Sequence, residues 1–159
     1  MTVDGTDCQI WEPHPFSKMW YSHKFKGARL RYKIAVCIQT GDIVWVNGPF
    51  KCGRWGDLTI FRNNLKNLLL PHEQVEADKG YRGDPKVRTP AMARSWAEYH
   101  KKNAARGRHE TLNGRLKKWG ILNQVYGHSL DKHCDVFMAV CVLTQLTIDR
   151  GSRPYQINY

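Results

Sequence analysis

Val75-Glu76-Ala77-Asp78-Lys79-Gly80-Tyr81-Arg82-Gly83 is the stretch on which the reading of the fold turns. Apolar and small positions run into an acid, and a Gly-x-x-Gly turn follows at once. The pattern predicts a short buried strand that delivers Asp78 to its exposed C-terminal end, where the glycines bend the chain away. A carboxylate held on rigid backbone at a strand end suits a hard metal ion. An Asp at a strand-to-turn junction also serves simply as a turn former. Partners elsewhere in the chain decide between the two.

Working outward, the N-terminal TVDGTDCQI reads as a strand over residues 2–10 with a glycine break after Asp4. The polar, aromatic WEPHPFSKMWYSHKFKGA reads as a loop, since Pro13 and Pro15 exclude a helix. Leu30 to Thr40 and Ile43 to Gly48, joined by Thr40-Gly41-Asp42, form a predicted hairpin. Asp57 is placed to cap a helix over DLTIFRNNLKNLLL, whose apolar residues follow helical spacing until Pro71. After the Asp78 strand, Asp84 to Pro90 reads as a loop. Residues 91–108 read as a polar helix that continues through Gly107 toward Trp119 or breaks there. A last apolar helix, DKHCDVFMAVCVLTQLTIDRG, stops at Gly151, and SRPYQINY is a docked or frayed tail. A helix between the third and fourth strands permits a right-handed crossover, so the predicted class is α/β with a mixed sheet covered by helices.

The 159 residues suit a single domain spanning 1–159, and 42% hydrophobic residues mark a folding chain. No apolar run approaches the roughly 20 residues that span a bilayer, and no signal peptide opens the chain. Five scattered cysteines without a C-x-x-C pair fit free thiols in a reducing compartment. His128 and His133 near Cys134 lack the second spaced pair that a structural zinc needs. The formal net charge of +11 favours a polyanionic partner, most simply nucleic acid, and there is no basic amphipathic helix to favour a membrane surface.

Around RHETLNGRLKKWG, helical spacing puts Arg106, Glu110, Asn113 and Lys117 along one face. An acid flanked by cations can hold a metal while its neighbours hold phosphates; the plainer alternative is a surface ladder of ion pairs. Together with Asp4 and Asp78, Glu110 completes a series of strand acid, strand acid and helix acid.

At these residues the sequence resembles the nuclease domain of DDE-type transposases, nearest to the Harbinger-like group of DDE superfamily endonucleases. The resemblance runs through VDGTDCQIWEP, WYSHKFKGARLRYKIAV, TGDIVWVNGPFKCGRWGDLTIFR, EADKGYRG, RHETLNGRLKKWGIL and VFMAVCVLTQLTI, in that order along nearly the whole chain. It implies a ribonuclease-H-like fold and a divalent-metal-dependent endonuclease or transposase core. Asp4, Asp78 and Glu110 would then be the catalytic carboxylates holding a pair of Mg²⁺ or Mn²⁺ ions. Asp7 is the alternative first ligand if Gly5 breaks the strand's alternation. Asp57 lies in the family's glycine-rich segment ending in an acid and reads here as a helix cap. Of the Tyr-Arg-Glu-Lys pattern some transposases carry around the helix acid, Arg106, Glu110 and Lys117 fit, while Asn103 stands at the tyrosine position. Lys79, Arg82, Arg106, Arg108, Arg115, Lys117 and Lys118 are the candidate nucleic-acid contacts. The resemblance further implies a nuclear setting, DNA as partner, and recognition by a separate protein or a missing N-terminal helix-turn-helix. With three residues before Asp4, the chain reads as N-terminally truncated relative to such transposases. The alternative function is a catalytically inactive, transposase-derived DNA- or protein-binding domain.

Overall fold

The computed structural model describes residues 1–157 and 159. Its sheet is built on β1 (Thr2–Gln9) and β3 (Gly27–Val36), antiparallel partners in continuous register from Thr2 opposite Val36 to Gln9 opposite Arg29. The expected break after Asp4 is absent: Gly5 stays in the ladder opposite Lys33. A short β2 (Tyr21–Ser22) pairs with the start of β3, inside a segment expected to be loop, and β4 (Ile43–Lys51) pairs antiparallel with β3. On the other side of β1 lie β5 (Val75–Glu76) and β6 (Val87–Arg88), both in parallel register. The strand β6 falls in the expected Asp84–Pro90 loop; a two-residue strand has too few positions to show alternation. The result is a six-stranded mixed sheet.

Alternation along the strands divides the interior in two. Cys8, Leu30, Tyr32 and Ile34 face a cluster with Leu112, Leu116, Phe137 and Val140. Val3 and Ala35 face Phe61, Leu65, Tyr81 and Val87. The second cluster is closed by α1 (Asp57–Asn63), shorter than expected because the chain turns at Asn64 into a 3-10 segment, Leu65–Leu68.

The first cluster is covered by α2 (Trp96–Lys118) and α4 (His133–Asp149), with α3 (Gly120–Asn123) between them. Ser95 starts α2 by accepting from the Glu98 amide. The helix runs unbroken through Gly107, where the Tyr155 hydroxyl occupies the space a Cβ would fill, 2.6 Å from that position. Glycine is there for a close approach and not for a break. The tail docks through Pro154, which is buried, and through Tyr155, whose hydroxyl donates to Ala104 O.

Candidate active site

The parallel register of β1 and β5 sets Thr2 opposite Glu76. Two residues further along each strand stand Asp4 and Asp78, so the two acids emerge side by side where β5 ends and β1 continues. Strand carboxyl ends are where open α/β sheets place ligands. Asp78 caps a 3-10 turn, Lys79–Tyr81, its Oδ1 accepting from the Gly80 amide at 2.8 Å. The turn-former reading of Asp78 is therefore correct for one of its oxygens. Asp4 Oδ1 likewise accepts from the Gly5 amide at 2.7 Å.

Helix α2 crosses this end of the sheet, and Asp4, Asp78 and Glu110 line a common cleft of about 490 Å³ with Arg106, Asn113 and Lys117. Glu110 stands on its lip, its side chain 67% exposed and 3.7 Å from Arg106. Behind it His109 is buried and in hydrogen-bond contact with Thr2 Oγ1 (2.8 Å), while its Nε2 has no partner. Burial, helped by the Lys33 charge, pulls the His109 pKa to about 3, so the ring is neutral.

Asp57 does not cap α1 as its sequence position suggests. It is the first residue of α1, with Gly56 at the cap position and no side-chain cap bond. Its Oδ1 instead accepts from Lys33 Nζ at 2.5 Å and from Arg31 Nη1 at 3.1 Å. Lys33 is 2% exposed, also donates to the Tyr81 hydroxyl at 2.7 Å, and fills the space left by Gly5, whose Cβ would lie 2.7 Å from Nζ. A Cβ on Gly80 would in turn lie 3.0 Å from Asp78 Oδ1 and 3.4 Å from Asp57 Oδ2. Asp57 thus brings a further carboxylate to the cleft, backed by a buried ammonium.

Asp7, the alternative first ligand, also lines this cleft, but its carboxylate is engaged by the neighbouring strand. Arg31 grips it with Nε (2.8 Å) and Nη2 (3.0 Å), and Ser22 donates to its Oδ2. Burial would raise its pKa, but the guanidinium and hydroxyl prevail and hold it below the usual carboxylate range. Asp4 goes the other way: burial raises its pKa, and the Asp78 and Asp57 charges add to the rise against the Gly5 amide and Lys33.

The candidate phosphate contacts separate into groups. Arg106 lines the cleft, Lys79 an adjoining one, and Arg82 is exposed on the turn after Asp78. Arg108 does not reach nucleic acid: it is buried, donating to Ile38 O, Gln39 O and Tyr155 O. Arg115 is spent on Ser152 O and Arg153 O, and Lys118 lies beside Trp119 and Thr147, away from the acids. Lys117 lines the cleft, but its ammonium donates to Asp7 O (2.7 Å) and Leu122 O (3.0 Å), tying α2 to β1. Lys24 and Phe25, unmarked in the sequence reading, complete the cleft wall. The run His23-Lys24-Phe25-Lys26 carried the signal, an aromatic between cations. His133 belongs to the core, its Nδ1 in contact with the Tyr32 hydroxyl, and Cys134 donates weakly to Gly48 O.

The donor set suits a hard divalent cation: all oxygen, several like charges, and one carboxyl, Asp4, whose ionisation burial opposes. Among the described residues, no three His, Cys, Asp or Glu side chains already stand close enough to share one ion. Glu110 is the exposed member, standing on the lip with the long Arg106 contact as its ion pair.

A six-stranded mixed sheet flanked by helices is an α/β fold of the ribonuclease-H-like class. The model of the DDE superfamily endonuclease family matches residues 3–145, and the chain belongs to that family. No curated protein and no solved structure matches the chain.

Proposed function

We propose that the chain is the catalytic core of a divalent-metal-dependent DNA endonuclease of the transposase type, Harbinger-like within its family. The observation that carries the reading is the β1–β5 register, which sets Asp4 beside Asp78 beneath Glu110 of α2. These three carboxylates would hold Mg²⁺ or Mn²⁺, and a pair of such ions supplies activation of the attacking hydroxyl and stabilisation of the leaving oxygen in phosphodiester cleavage. The chain's own part is positioning. Arg106 and Lys24 hold the phosphates that flank the acids, and Arg31 and Lys33 hold Asp57 against the wall. The same cleft, open to solvent, accommodates a 3′-hydroxyl in place of water, which would make strand transfer the second activity. Sequence recognition would come from a separate protein or a helix-turn-helix, and a nuclear setting goes with the reading.

One observation favours a second reading, a catalytically silent DNA-binding domain: the carboxylates do not converge as they stand. Nicking of supercoiled plasmid with Mg²⁺, Mn²⁺ or EDTA separates the two. Metal-dependent nicking, lost in Asp78→Asn and Glu110→Gln, is the expected result. Folded wild type that binds DNA without nicking it in any metal refutes the catalytic reading.

A further inference from the structure

Two exposed aromatic rings stand near the acids, one on the wall of their cleft and one on the wall of the adjoining cleft. Phe25 sits in the turn between β2 and β3, where Lys26 takes a left-handed conformation (φ 51°). It is 44% exposed, with the Arg29 guanidinium 4.5 Å and Lys24 Nζ 5.2 Å from its ring centroid. It walls the cleft that holds Asp4, Asp78 and Glu110. Beyond Asp78 and Arg106 the groove continues into a second cleft of about 380 Å³, walled by Lys79, Pro90 and Tyr99. Tyr99 is 45% exposed on the first turns of α2, and its neighbour His100 meets it edge-on at 5.9 Å. Among the described residues, no aromatic ring stacks face to face on either Phe25 or Tyr99.

Duplex bases bury their faces against one another, so an exposed aromatic ring beside cations, as Phe25 is beside Arg29 and Lys24, is of use to bases that have left the stack. Exposed aromatic rings beside cations that meet the backbone are an arrangement that holds single strands without sequence preference. We propose that the substrate strand lies unpaired on both sides of the scissile phosphate, one base stacked on Phe25 and another on Tyr99, the phosphate between them facing Asp4 and Asp78. This rests on the nuclease reading above and specifies the form of DNA it takes: a single-stranded, frayed or mismatched segment. Lys24 stands beside one platform, and Lys79 with Arg106 beside the other, so backbone charge is met where each base is held.

The test is binding in EDTA, so that no cleavage intervenes. Fluorescence anisotropy would compare a single-stranded oligonucleotide with a hairpin-closed duplex, using wild type, Phe25→Ala, Phe25→Trp and Tyr99→Ala. Base-aromatic stacking predicts a loss of roughly tenfold in single-strand affinity for each alanine variant, with Phe25→Trp retaining it. Duplex affinity should change less than about twofold, since charge alone governs it. In the same complexes 2-aminopurine beside the central phosphate is quenched by wild type and not by the alanine variants. Both rings are exposed, so the variants should unfold at the wild-type temperature. Unchanged single-strand binding in both alanine variants, or equal losses on both DNA forms, overturns the stacking proposal alone. Wild type that binds neither form in EDTA, nor a non-cleavable strand with Mn²⁺, overturns the nuclease reading with it.

Discussion

Replacing Lys33 by methionine removes a buried ammonium while keeping most of its volume, so the effect is electrostatic and not a cavity. Lys33 Nζ contacts Asp57 Oδ1 at 2.5 Å and the Tyr81 hydroxyl at 2.7 Å. Breaking a fully buried pair from one side costs about 3–5 kcal/mol. Here Asp57 keeps Arg31 at 3.1 Å and its side chain is 32% exposed, so water and the guanidinium screen the charge left behind, and the cost falls to about 2 kcal/mol. For a chain of this length that lowers Tm by about 4–8 °C. Adding Asp57→Asn removes the stranded charge, so the double variant should recover about half of the loss. Thermal or urea unfolding followed by circular dichroism, in EDTA, gives all three stabilities. A single-variant loss below about 0.5 kcal/mol, or a double variant no more stable than Lys33→Met, would refute the reasoning, because either result means the pair does not balance its own charges.

Other expectations follow from the same geometry. His109 is neutral in the fold, with its pKa pulled to about 3, whereas an unfolded imidazole titrates near 6.5, so stability falls as pH drops from there toward 3, by at most about 1.4 kcal/mol per pH unit. His109→Gln should flatten that acid arm in denaturation midpoints taken at pH 7, 6 and 5. Arg108→Leu leaves buried carbonyls of Ile38, Gln39 and Tyr155 without their donor, and should cost at least about 2 kcal/mol. It should leave the salt dependence of DNA binding unchanged. Lys24→Ala should do the reverse, keeping stability while reducing the slope of log affinity against log salt by roughly 0.7–0.9.

What the sequence disclosed depended on how many residues carried each signal. The β3–β4 hairpin and the two long helices are written in periodicity and turn chemistry over many positions. The strands β2, β5 and β6 are two residues long, held by their neighbours and not by their own pattern. Asp57 was misplaced because a cap and an ion-pair acceptor look alike in sequence. Its partner Lys33 lies 24 residues away and becomes relevant only once β3 pairs with β1 across Gly5. Arg108 fooled a charge count for the same reason: a cation is read as surface until the fold supplies three carbonyls for it. Gly107 was read as a possible break, when the constraint on it comes from the Tyr155 hydroxyl at the far end of the chain.

The central claim is that Asp4, Asp78 and Glu110 act together on one divalent centre. Calorimetric titration of Mn²⁺ into the folded chain with a non-cleavable DNA strand, for wild type and for Asp4→Asn, Asp78→Asn and Glu110→Gln, tests it most directly. The account predicts saturable binding by wild type and at least a tenfold loss in each of the three variants. Wild-type affinity retained in any of the three variants, with the fold intact, would contradict it.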